Sequence, residues 1–76
     1  MEKKILEILN NASEELLTYT GSNMVADDII DSFGLISLIS ELEGAFGIVI
    51  DADYVSEENF GNKDRIIALI QRLTNE

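Results

Sequence analysis

The sequence contains no cysteine, histidine, proline or tryptophan, and each absence removes a class of chemistry. Without cysteine there are no disulfides and no thiolate metal sites. Without histidine the usual zinc ligand sets and histidine-based catalytic triads go too, so no metal site is expected. Positive charge is scarce: Lys3, Lys4, Lys63, Arg65 and Arg72 are all there is, so nothing between positions 5 and 62 is cationic. Binding to nucleic acid phosphates or an anionic membrane surface depends on lysine and arginine, which argues against both partners. No run approaches the ~20 apolar residues needed to span a bilayer, and membrane insertion is not expected. The opening "MEKKILEILNNASEELL" carries charges throughout, unlike the uninterrupted apolar core of a secretory signal. The expectation is therefore a cytoplasmic protein, in which "Asn-Ala-Ser" at 11–13 matches a glycosylation sequon by chance.

What is present is acid and periodic apolar residues. Fifteen acidic residues against five basic ones give a net charge of −10 over 76 residues. Such a surface steers toward basic protein patches at a salt-sensitive rate, and it also simply keeps a small protein soluble. Disorder is not expected, because 46% of the residues are hydrophobic and they fall in periodic blocks. A chain of this length reads as a single domain over 1–76. It would bury only ~60% of the surface its unfolded form exposes, which leaves little room for an enclosed active site. Monomeric surface chemistry or binding is the expectation.

Four helical segments emerge. Ile5, Ile8, Leu9, Ala12 and Leu16 recur at helical spacing and predict a first helix fading near Tyr19 and Gly21. Residues 20–31 lack a helical period, a long connection for so small a domain, with Met24, Val25, Ile29 and Ile30 expected against the core. A second helix should start at Asp31 or Ser32 and run to Phe46, with Gly47 as its stop. Ser56 is placed to cap a brief third helix ending at Gly61, and Asn62 to cap a fourth with Ile66, Leu69, Ile70 and Leu73 as its stripe. "IVI" at 48–50 resembles a strand, but a lone strand has no partner here. The predicted fold is an all-α four-helix bundle of three longer helices and one short one, with a long loop between the first two.

At about 100° per residue, Leu35, Leu38, Ile39, Leu42, Ala45 and Phe46 share one broad face of the second helix, its core side. Ser32, Ile36, Ser40 and Glu43 follow one another up a different side, with Phe33 nearby. An apolar ridge with a carboxylate rim is what a protein docking surface looks like. Phe33 has two readings, packed under the long loop or exposed on that ridge.

Ser32 opens this helix. A serine before an apolar run usually caps it, but Asp31 is the better cap and would free the Ser32 hydroxyl. A catalytic serine needs a base in reach and a group to orient that base. No histidine and no Gly-x-Ser-x-Gly elbow is present, so the chain is not expected to be an enzyme. A serine that cannot activate itself can still be modified by an enzyme that brings the base and the metal. A helix N-terminus suits the anion of a phosphodiester.

With these residues in view, "DSFGLISLISELEGAFGIVI" resembles the second helix of the acyl carrier proteins, the phosphopantetheine-bearing carriers of fatty acid, polyketide and related biosynthesis. The likeness extends over nearly the whole chain. It implies a 4′-phosphopantetheine arm, taken from coenzyme A, on Ser32, with Asp31 as the motif acid that helps orient the transferase's metal-bound substrate. Phe33 and Ile36 match apolar docking positions and Glu43 a helix acid that pairs with basic partner patches; Ser40 and Glu41 complete the expected partner-binding face. Leu35, Ile39 and Val55 are expected to line a cleft for the acyl chain between the second and third helices. The implied partners are a phosphopantetheinyl transferase, an acyl- or aminoacyl-loading ligase or transferase, and ketosynthase-type enzymes with basic docking patches.

Gly34, Ser37 and Gly44 stand where fatty acid carriers commonly have acids, which points to a dedicated pathway carrier. "IIDSFGLISLI" also resembles the carriers of D-alanine and other amino acids, the alternative within the family. Outside it stands an unmodified acidic interaction module. A calcium loop at Asp51 and Asp53 fails, because Ser56 and Asn62 stand where the EF-hand glycine and final glutamate belong.

Overall fold

The computed structural model describes residues 2–74. They form α1 (Glu2–Ala12), a 3-10 turn (Glu14–Leu17), α2 (Ser32–Phe46), a second 3-10 turn (Ala52–Tyr54), α3 (Glu57–Phe60) and α4 (Lys63–Thr74). No strand occurs among the described residues, including "IVI". The molecule is the expected all-α bundle of three longer helices and one short one. α1 packs against α2 and α4, and α3 packs against α4.

The apolar spacing translates directly into burial. Ile5, Ile8 and Leu9 of α1 and Leu16 of the first 3-10 turn meet Leu38 and Leu42 of α2 and Ile66, Leu69 and Ile70 of α4, all buried. Two alanines depart from the pattern: Ala12 and Ala45 are exposed. α1 stops at Ala12 because Ser13 turns extended (φ −164°, ψ 125°). Asparagine and serine, as in "NNAS", are weaker helix formers than the residues before them, and Leu16 reaches the core from a separate turn. On α2 the buried arc is narrower than the wheel implies, with Leu35, Ile39 and Phe46 only half-buried. Ile50 and Ile67, outside the predicted stripes, are buried as well.

Residues 20–31 are tied down without becoming helical. Met24 is fully buried, and its N–H donates to the Gly61 carbonyl at 3.0 Å. The Asn62 Nδ2 donates to the Gly21 carbonyl at 2.9 Å. The Tyr19 hydroxyl donates to Asp27 while accepting from the Asn23 N–H at 3.0 Å. This docking requires glycine at 61, since a Cβ there would lie 2.1 Å from the Ser22 carbonyl oxygen and 2.5 Å from that of Glu57. Asn62 also caps α4, its Oδ1 accepting from the Arg65 N–H at 3.0 Å. Ser56 holds the N-cap position of α3 with extended backbone, but its side chain makes no capping bond.

α2 has the bounds the sequence implied. Gly47 ends it at φ 63°, ψ 38°, and the chain then folds back so that the Ile50 N–H donates to the Glu43 carboxylate at 2.8 Å. Ile50 turns inward while Val49 stays exposed.

Candidate functional site

The N-terminus of α2 is organised by Asp31, which sits at the N-cap with extended backbone. Its Oδ1 accepts from the Gly34 N–H at 2.7 Å, and its carbonyl accepts from the Leu35 N–H at 2.9 Å. Capping is therefore done by Asp31, and Ser32, the first residue of the helix, is exposed. It stands at a helix end where the N–H groups of the first turn, other than that of Gly34, have no preceding turn to bond to. The partial positive charge of that end favours an anion attached there.

Gly34 has an internal reason to be glycine. A Cβ at this position would lie 2.7 Å from Cγ1 of Ile30 and 3.2 Å from the capping Oδ1 of Asp31. The absence of a side chain lets the buried Ile30 close over the first turn of α2. Gly44 has no such neighbour, with nothing within 4 Å of its would-be Cβ.

Below Ser32 the exposed side of α2 is apolar. Phe33 is 83% exposed and Ile36 62%, which resolves Phe33 as a surface residue and not one packed under the loop. Ser40 and Glu41 are exposed on the same helix. Glu43 differs from them, being half-buried and bound to the Ile50 N–H. It acts first as a brace for the turn after α2.

A cleft of about 260 Å³ opens between α2, the long loop and α3. Val25, Leu35, Val55 and Phe60 give its lining apolar surface, and Asn23, Ser56 and Glu57 add polar groups. The structure thus brings Leu35 and Val55 together, and Ile39 lies outside the cleft. Asn23, Val25, Ser56, Glu57 and Phe60 were not foreseen in it. Asn23 lies in an aperiodic loop with no sequence signal, whereas Phe60, the one aromatic of α3, could have been placed by its distance from the Ser56 cap. Among the described residues no cluster of side chains suited to a metal ion occurs.

Comparison with known proteins bears on the carrier readings. Over its whole length the chain is 31% identical to the D-alanyl carrier protein of Lactococcus lactis subsp. cremoris (strain MG1363), in an alignment that covers 99% of that protein. The same figures hold for the D-alanyl carrier protein of strain SK11, and identity is 30% for that of subsp. lactis (strain IL1403). The chain belongs to the D-alanyl carrier protein family. No protein-family profile and no solved structure matches it.

Membership in the D-alanyl carrier protein family accords with the small helical bundle. It favours the amino acid carriers, given second place in the sequence reading, and lends no support to a fatty acid or polyketide setting. Within the D-alanyl carrier protein family a carrier role follows, and no helix among the described residues is long and apolar enough to cross a membrane.

Proposed function

We propose that the chain is a carrier and not a catalyst, holding a D-alanyl group, or a closely similar aminoacyl group, on a 4′-phosphopantetheine arm esterified to Ser32. The observation that carries this reading is the division of labour at the start of α2. Asp31 takes the cap through the Gly34 N–H at 2.7 Å, and Ser32 is left exposed at the first helical position. A serine used as the cap would have its oxygen occupied; this one is free to be esterified.

The residues present fit the arm. The Ser32 hydroxyl would supply the ester oxygen, the end of α2 favours the phosphodiester charge, and the neighbouring Asp31 carboxylate would help orient the transferase's metal-bound substrate. The arm, when bound, supplies a thiol on which an acyl group is held as a thioester. The chain's own work is then presentation. Phe33 and Ile36 offer an apolar contact, with Ser40 and Glu41 beside it, to a phosphopantetheinyl transferase, an aminoacyl-loading ligase and the transferase that removes the cargo. Against basic patches on those enzymes a charge of −10 raises encounter rates more than affinity, which suits brief, successive partners.

The test is incubation with coenzyme A and a broad-specificity phosphopantetheinyl transferase, followed by intact mass. The wild-type chain should gain one phosphopantetheine and Ser32→Ala none. The product should then accept D-alanine from an ATP-dependent D-alanine ligase and refuse malonate from a malonyl transferase. An unmodified wild-type chain sinks the carrier site, and a malonyl adduct sinks the aminoacyl assignment.

A further inference from the structure

A continuous chain of contacts runs from the junction of α3 and α4 through the long loop to the start of α2. The Met24 N–H donates to the Gly61 carbonyl at 3.0 Å, and the Met24 carbonyl accepts from the N–H groups of Ile29 at 2.9 Å and Ile30 at 3.3 Å. Met24 and Ile30 are both buried, so Ile30 takes its place from the docked loop. Its side chain lies against Gly34, with Cγ1 at 2.7 Å and Cδ1 at 3.2 Å from where a Cβ would stand, and the Asp31 Oδ1 is also 3.2 Å from that point. That oxygen is the one accepting from the Gly34 N–H at 2.7 Å. Ile30 and the capping carboxylate thus share the flank of residue 34 that glycine leaves bare.

We infer that Ile30 and Gly34 are positioning residues for the modification of Ser32: Ile30, lodged against the bare Gly34, holds the Asp31 carboxylate on its cap and so fixes the turn that presents the serine. The inference rests on Ser32 as the attachment residue and names what orients it from within the chain. The cap bond from Asp31 to Gly34 closes over Ser32 and Phe33, so a movement of either end is passed to the serine between them. Any side chain at 34 meets Ile30 closer than carbon atoms approach without repulsion. Burial of an isoleucine outweighs one exposed hydrogen bond, so the cap is the partner that yields. Neither residue touches the incoming coenzyme A; both act through Asp31.

The test compares the wild type with Gly34→Ala, with Gly44→Ala, which adds the same methyl in open space, and with Gly34→Ala combined with Ile30→Ala, which removes the obstructing Cγ1 and Cδ1. Two quantities are read. One is the transfer from coenzyme A by a broad-specificity phosphopantetheinyl transferase, resolved into kcat and KM for the carrier. In that step the Ser32 Oγ bonds to phosphorus, the bond from phosphorus to the departing adenosine bisphosphate breaks, and the hydroxyl proton passes to the transferase. The other is the protection of the residue-34 amide against hydrogen exchange, measured by NMR without any enzyme.

A reacting atom misplaced by about 1 Å costs up to about a hundredfold in rate, so the smaller shift in Gly34→Ala should lower kcat about tenfold. KM should stay within about twofold, because the docking side chains are untouched. Loss of the cap should cut the residue-34 protection about fivefold. Gly44→Ala should match the wild type in both, and the double variant should recover most of both. An unchanged kcat and protection in Gly34→Ala, a loss confined to KM, an equal loss in Gly44→Ala, or a folded double variant no better than Gly34→Ala would overturn the assignment. If far-UV circular dichroism shows the double variant unfolded, Gly34→Ala against Gly44→Ala decides alone. A wild-type chain that takes no arm counts against the carrier site, and the protection factors still decide whether Ile30 and Gly34 hold the cap.

Discussion

Replacing Asn62 separates two jobs done by one side chain. Its Oδ1 accepts from the Arg65 N–H at 3.0 Å and caps α4, while its Nδ2 donates to the half-enclosed Gly21 carbonyl at 2.9 Å and fastens the long loop. Asn62→Asp keeps a good cap, since aspartate and asparagine rank alike there, but sets an oxygen against the Gly21 carbonyl. It should cost about 1 kcal/mol, the net worth of one hydrogen bond. Asn62→Ala loses both, adding about 1 kcal/mol for the cap to reach about 2 kcal/mol in total. For a domain of this size each kcal/mol moves the midpoint by roughly 4–8 °C, so alanine should lower Tm about twice as far as aspartate. Thermal and urea unfolding followed by far-UV circular dichroism measure both, with an unchanged urea slope as the sign that stability alone has moved. Hydrogen exchange adds the location: the Met24 amide should exchange faster in both variants, and the first-turn amides of α4 only in Asn62→Ala. If aspartate costs as much as alanine, or if alanine costs under about 0.5 kcal/mol against the ~1 kcal/mol expected of a single bond, the two-bond account is wrong.

The two glycines of α2 should respond in opposite senses. Gly44→Ala adds a methyl to open space and should stabilise by about 1 kcal/mol through helix propensity. Gly34→Ala gains the same propensity but pushes against Ile30, an overpacking of about 1–3 kcal/mol, and should come out neutral or destabilising in urea titrations. Tyr19 supplies an alkaline prediction. The hydrogen bond it donates to Asp27 is the largest cause, with desolvation next, of a phenol pKa raised above its ordinary value near 10. A group held protonated by the fold contributes fully below its unfolded pKa and loses that contribution as pH rises through the folded one. Stability should therefore fall above about pH 10, the ordinary tyrosine value, and fall less steeply in Tyr19→Phe. Parallel curves for the two proteins would refute the coupling.

Local chemistry alone determined much of this protein. Asp31 before Ser32 fixed where α2 begins, because a carboxylate caps better than a hydroxyl one residue later. Gly47 fixed where it ends, and the spacing of Ile66, Leu69 and Ile70 fixed the inner face of α4. These are one-turn decisions, settled by backbone hydrogen bonds and by side-chain period. Missing histidine and cysteine were equally legible, and they turned attention from catalysis at Ser32 to a serine acted on by others.

Tertiary structure decided what depends on residues distant in sequence. Glu43 looked like a free docking acid until the chain after Gly47 folded back and brought the Ile50 N–H to it. Ile39 shares a helix face with Leu35, yet the cleft forms where the 20–31 loop and α3 meet α2, and that meeting admits Val25, Phe60 and Glu57 in its place. Gly34 and Gly61 gave no sign of their neighbours, because Ile30 and the Ser22 carbonyl close on them only after the loop has docked. The sequence sets the period of each helix; the approach of loop to helix is set by packing, and packing chose which side chains share the cleft.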